Sequence, residues 1–252
     1  VFYFFIKKSG HLWWLYFAIF LVAFSVVLAR LAPVIIFPLF YKFKELEDGE
    51  IKDKIKEVLA KANISITGIF SFNMSKDTKK ANAGFTGLGK SKRIILSDTL
   101  INDFTPAEIA IVFAHEAGHY KHKHIIKNLI FSTAVIFLTL FVCGRLHALT
   151  VNAMGIPSIS ALESLPVLML YLSIAGLLIM PLTNYISRRY EFQADEYAVK
   201  ITKDKESFIS AMEKLAGLNL ADKDPHPAVE FFLYSHPSIK RRINAARNIS
   251  LD

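Results

Sequence analysis

Leu12-Trp13-Trp14-Leu15-Tyr16-Phe17-Ala18-Ile19-Phe20-Leu21-Val22-Ala23-Phe24-Ser25-Val26-Val27-Leu28-Ala29 is the stretch on which the fold turns. Only Ser25 interrupts its apolar character, and as a helix it is long enough to cross a hydrocarbon layer of about 30 Å. Two further segments follow, Ile125 to Cys143 and Pro166 to Ile186, with small or polar residues such as Ser132, Ser173 and Asn184 but no charge after Lys127. One such stretch could belong to a soluble helical core. Three, in a chain of 252 residues of which 53% are hydrophobic, read as spanning helices of an integral membrane protein.

Outward from these spans, Val1 to Ile6 is apolar and ends at Lys7 and Lys8. A signal peptide has its positive charge before the apolar run, so this order does not fit one. The expectation is the tail of an earlier spanning helix, with others before Val1. The net charge of +8 is spread among acidic residues and not gathered in a stripe, which argues against a nucleic-acid partner and for contact with lipid headgroups. Cys143, the sole cysteine, excludes an intrachain disulfide and a thiolate cluster, so a metal must be held by His and carboxylate.

Crossings at 12–30, 125–143 and 166–186 put the polar stretches 41–124 and 187–252 on one side. Lys42, Lys44, Lys121, Lys123, Lys127, Arg188 and Arg189 flank the spans there, against Lys7, Lys8 and Arg145 opposite, so that side is expected in the cytoplasm. The organisation expected is a membrane region 1–40, a first catalytic part 41–124, a transmembrane hairpin 125–186 and a second catalytic part 187–252. Gly49 to Asn63 has helical spacing, and Ser65 to Met74, Ala83 to Leu88 and Arg93 to Ser97 read as a small antiparallel sheet. The fold class is thus mainly α, with spanning helices and a cytoplasmic α+β domain of zincin type. Thr105-Pro106-Ala107-Glu108 is a helix start: Thr105 caps, Pro106 suits the first turn and Glu108 completes a capping box.

That helix runs into His115-Glu116-Ala117-Gly118-His119. Spacing of four residues puts both imidazoles on one face, where they can share one Zn²⁺, while Glu116 is placed to take a proton from water at the metal. Two histidines require a third ligand. Glu191, in Glu191-Phe192-Gln193-Ala194-Asp195, is the candidate, and if the last spanning helix continues, Asp195 lies on the same face and can accept the free ring N–H of a ligating histidine. His122 and His124 sit off the ligand face and read as interfacial residues. His236, in His236-Pro237-Ser238 ahead of Arg241 and Arg242, suits a helix-capping loop, or a donor to a developing oxyanion.

Taken together the chain resembles the integral-membrane CaaX prenyl proteases. The resemblance is carried by Pro38-Leu39-Phe40, Leu46 to Glu50, Asn82-Ala83, Lys92 to Leu96, the His115 and Glu191 motifs and His236-Pro237. It implies a zinc endopeptidase, one ion per chain, held by His115, His119 and Glu191. Glu116 is then the general base, Asp195 a support for a ligand, and His236 and Arg242 assist the transition state. It also implies peptide or protein substrates, prenylated in that family, that pair as an added strand near Asn82 and Ala83, and residence in a bacterial inner membrane or the endoplasmic reticulum. A membrane-protein quality-control protease is the rival enzyme. A membrane metal-binding or transport protein is the rival of another class, and it would carry its ligands at membrane depth.

Overall fold

A computed structural model of the chain describes residues 1–86, 92–218, 222 and 224–251. In chain order the elements are α1 (Phe2–Lys8), α2 (Trp13–Leu31), α3 (Phe37–Phe40), β1 (Phe43–Glu45), α4 (Glu50–Ala62), β2 (Ile69–Phe72), β3 (Ala83–Thr86), β4 (Arg93–Ser97), α5 (Asp98–Asp103), α6 (Pro106–Lys121), α7 (His124–Ala153), α8 (Leu165–Thr202), α9 (Lys205–Leu218), α10 (Pro227–Leu233) and α11 (Ile239–Arg247). They form two units, one of 1–29 with 125–183 and one of 30–124 with 184–252.

The first unit holds most of the length of the apolar segments. The helical stretches Gly10–Phe40, His124–Ala153 and Leu162–Thr202 are long and apolar enough to cross a membrane. The unit's own core is small, built from Ile6, Trp13, Ala18, Leu140, Cys143 and Leu168. Large side chains such as Phe24, Val27, Leu138, Leu170, Leu177 and Leu178 stay exposed, as a lipid-facing surface requires. α7 continues past Cys143 to Ala153, so its link to α8 is shorter than the sequence suggested. His147 Nε2 donates to the Ser164 carbonyl at 3.1 Å, and the Thr150 and Tyr171 hydroxyls meet at 2.7 Å, pinning that link.

The second unit is built around a four-stranded sheet in the order β1-β2-β4-β3. The sheet is mixed and not wholly antiparallel: β2 and β4 run parallel, with Ile69 opposite Ile94 and Phe72 opposite Ser97. After β2 the chain lays β3 down as an edge and returns antiparallel to it in β4, which takes the central slot. Ile94 and Leu96, both fully buried, make β4 the strand suited to that slot. β1 pairs with β2 and was not foreseen, because three residues are too short to show alternation. Of the expected second run, Ala83 to Leu88, residues 87 and 88 lie outside the described residues, as do Gly89 and Lys90.

α4 and α6 cover this sheet through Ile55, Val58, Leu59, Ile109, Phe113 and Ala117. α4 is started at Gly49 and stopped by Asn63, whose left-handed backbone, φ 49°, closes the helix. α6 has the expected capping box: the Glu108 N–H donates to Thr105 Oγ1 at 3.3 Å and the Thr105 N–H to Glu108 Oε2 at 2.7 Å. Behind α6, Ile111, Val199, Phe208, Met212, Ile243 and Ala246 form a second core with α9 and α11. α6 is thereby held on both flanks.

Candidate metal and catalytic site

α8 is uninterrupted from Leu165 to Thr202, despite Pro181, so Glu191 and Asp195 do lie one turn apart on one helix. It meets α6 where small residues allow it. Ala117 and Ala194 are fully buried, and a β-carbon on Gly118 would come within 2.9 Å of the Ala194 Cα. At this crossing the histidines face the carboxylates.

Imidazole nitrogens and carboxylate oxygens of His115, His119 and Glu191 lie within 4.8 Å of one another. His115 Nε2 and His119 Nε2 are 3.0 Å apart, and Glu191 approaches them with Oε2 at 3.5 Å and Oε1 at 3.4 Å respectively. The other face of each ring is engaged. His115 Nδ1–H donates to Asp195 Oδ1 at 2.9 Å, which in the neutral ring leaves Nε2 as a lone pair. His119 Nδ1 contacts His124 Nδ1, also at 2.9 Å. A carboxylate and imidazole lone pairs crowded on one point repel unless a cation lies among them. The donor set, two histidines and one carboxylate with a side open to a cleft, fits a catalytic zinc ion.

That cleft is about 320 Å³ and is lined by Ala81, Asn82, Ala83, His115, Glu116, His119, Glu191, Met212, Leu215, His236 and Arg242, among others. Every expected site residue except Asp195 therefore borders one space, and Asp195 lies directly behind His115. Burial pushes the Glu116 carboxyl above the usual range, with the neighbouring histidines working against it and Glu191 adding to it. The His115 imidazole is raised: burial would lower it, but the hydrogen bond and charge of Asp195 outweigh that.

Arg242 is buried and fully engaged with Asp195, Nε to Oδ2 at 2.8 Å and one terminal nitrogen to Oδ1 at 2.6 Å. The same nitrogen is 3.6 Å from Glu191 Oε2. Burial opposes its charge, yet the facing carboxylates raise its pKa further. Its geometry is that of a group that holds Asp195 and faces Glu191. His236 is the opposite case. It is largely exposed, its Nδ1 is 3.0 Å from the Ser235 hydroxyl, and its Nε2 stands at the cleft, 3.6 Å from Glu191 Oε1.

At the sheet edge, the Ser97 N–H donates to the Asn82 carbonyl, and the Asn82 N–H donates to Ser97 Oγ, both at 2.9 Å. Asn82 thus spends its backbone on β4, and alternation leaves Ala83 the residue whose backbone faces away from it.

His124 corrects the sequence reading. It does not point off the ligand face: it is 2% exposed, bonded to His119, stacked on Tyr190 at 4.2 Å, and its Nε2 is 2.9 Å from Gln193 Oε1. A helix running straight on from His119 would carry His124 off the ligand face. Lys123, with φ 55°, breaks the helix and turns His124 back beneath His119. Neither that turn nor the part played by Gln193 is signalled by residue spacing.

The chain matches the model for peptidase family M48 over residues 45–250. It is 36% identical over 98% of its length to an uncharacterized metalloprotease, YhfN, of Bacillus subtilis, covering 59% of that protein. It is 33% identical over 96% of its length to CAAX prenyl protease 1 of Saccharomyces cerevisiae, covering 57% of that protein. Among solved structures, the crystal structure of S. mikatae Ste24p superposes with a TM-score of 0.84 at 32% identity, over 97% of this chain and 61% of that one. The chain spans less than two thirds of the length of these relatives.

Proposed function

The chain belongs to peptidase family M48, and from that premise we propose that it is the zinc-binding, catalytic portion of an integral-membrane endopeptidase that cuts peptide bonds near the C-terminus of prenylated substrates. The single observation carrying this is the meeting of His115, His119 and Glu191 at one point, on a cleft that Glu116 also borders. Zinc, when bound there, supplies Lewis acidity that brings the pKa of water towards 7. Glu116, half-buried in the cleft wall and with its carboxyl raised, is suited to accept the proton of the attacking water and return it to the leaving amine. His236 donates from Nε2 to the carbonyl oxygen as charge develops on it, the Ser235 hydroxyl satisfying Nδ1. Asp195 fixes His115 in its ligating tautomer, and Arg242 keeps Asp195 in place.

Substrate pairing as an added strand is supported by the position of β3 at the sheet edge, with Ala81, Asn82 and Ala83 in the cleft wall. Ala83 supplies the backbone donor and acceptor, and Asn82 contributes its side chain. The basic residues flanking the spans support a cytoplasmic position for the site.

A cleavage assay comparing a farnesylated peptide with its unmodified twin, each with and without chelator, tests the reading. Chelator-sensitive cleavage of the farnesylated peptide, at least tenfold faster than of the twin, is expected. Equal cleavage of both removes the prenyl requirement and favours a quality-control protease. Cleavage of neither overturns the peptidase assignment.

A further inference from the structure

Resting on the metal reading above, we infer that His124 and Gln193 form a positioning pair that sets the tautomer of His119, as Asp195 does for His115. His119 can offer Nε2 to a metal only if its proton sits on Nδ1, and Nδ1 faces His124 Nδ1 at 2.9 Å. Two ring nitrogens at that distance, away from the metal position, share one proton, so which ring donates depends on what binds the far side of His124. There Gln193 turns its carbonyl oxygen, Oε1, to His124 Nε2 at 2.9 Å. An amide oxygen only accepts, so His124 Nε2 carries the proton. His124 Nδ1 is then an acceptor, His119 Nδ1–H donates to it, and His119 Nε2 is left as a lone pair towards Glu191. Were the Gln193 amide nitrogen in that place, every proton in the chain of bonds would shift and His119 Nε2 would be protonated and unable to ligate.

The surroundings hold this arrangement in place. His124 is buried, its ring lies nearly parallel to Tyr190 at 12° between planes, and Lys123 adopts the left-handed turn that delivers it. Gln193 sits on α8 between Glu191 and Asp195, so one turn of helix carries a ligand and a support for each of the two histidines. Partners of this kind alter metal affinity by 10- to 100-fold.

The test measures zinc affinity of the full chain in detergent by chelator competition, alongside thermal unfolding of the metal-free protein. His124→Ala and Gln193→Ala are expected to weaken zinc binding at least tenfold and threefold respectively, with metal-free unfolding little changed for Gln193→Ala. Gln193→Glu, which can only accept, is expected to keep affinity within about threefold of the parent. Parent-like affinity in both alanine variants overturns the inference while leaving the metal site standing. A parent protein that binds no zinc overturns the metal reading itself. Should His124→Ala not fold, the contrast between Gln193→Ala and Gln193→Glu decides, and equal affinity in that pair overturns the inference.

Discussion

Gly118 lies against Ala194 so closely that a β-carbon on Gly118 would stand 2.9 Å from the Ala194 Cα and 3.1 Å from its carbonyl oxygen. Both contacts are backbone of α8, which cannot swing aside as a side chain can. Gly118→Ala should therefore part α6 from α8 at the level of the ligands. A loss of about 1–3 kcal/mol of stability is expected, as for other overpacked contacts, together with weaker zinc binding. Calorimetry and metal analysis check this, and a variant with parental stability and zinc content would contradict the close approach.

Glu108 gives the fold a pH dependence that is independent of the metal. Burial would raise its pKa, but Lys214, Ser210 and the Thr105 N–H, at 2.7, 2.6 and 2.7 Å, together hold it below the ordinary 4.5. A carboxylate depressed in the fold stabilises above its unfolded pKa, and that contribution disappears as pH falls through the folded value. Stability should accordingly drop as pH falls from about 5 towards 3, while Glu108→Gln, weaker by about 2 kcal/mol at neutral pH, should show a flatter profile. Unfolding midpoints across that range measure both.

Arg242 faces Asp195 in a buried two-bond contact, so removing its charge leaves a buried carboxylate held by His115 alone. Arg242→Ala is expected to cost about 3–5 kcal/mol in the metal-free protein, and Arg242→Lys less. Unfolding of metal-free samples separates this structural loss from any effect on turnover. A stable Arg242→Ala with reduced kcat alone would assign Arg242 to the transition state instead.

Ala83→Pro removes one backbone donor that β4 does not use. The variant should fold and keep zinc while KM for peptide rises about tenfold, which corresponds to about 1.4 kcal/mol of lost pairing. Steady-state kinetics with matched zinc content report the result, and an unchanged KM would contradict strand addition at this edge.

The residues differed in how much they disclosed. Helical spans, the capped helix at Thr105 and the pairing of Glu191 with Asp195 were legible because each depends on local spacing, and α8 runs through both its apolar and its acidic part without a break. The parallel pairing of β2 with β4 was not legible, since it depends on which strand wins the central slot and not on any strand's own pattern. The inward direction of His124 was not legible for a related reason: one left-handed residue, Lys123, changes where the next side chain points. Gln193 carries no metal-ligand chemistry of its own, so only its contact with His124 reveals its part.

The most direct test replaces Glu116 by Gln and His119 by Ala, and measures bound zinc and peptide hydrolysis on the same preparations. Glu116→Gln should keep about one zinc per chain and lose hydrolysis by at least a hundredfold, the scale of a general base, whereas His119→Ala should lose both. Hydrolysis by Glu116→Gln at the parental rate would contradict the account.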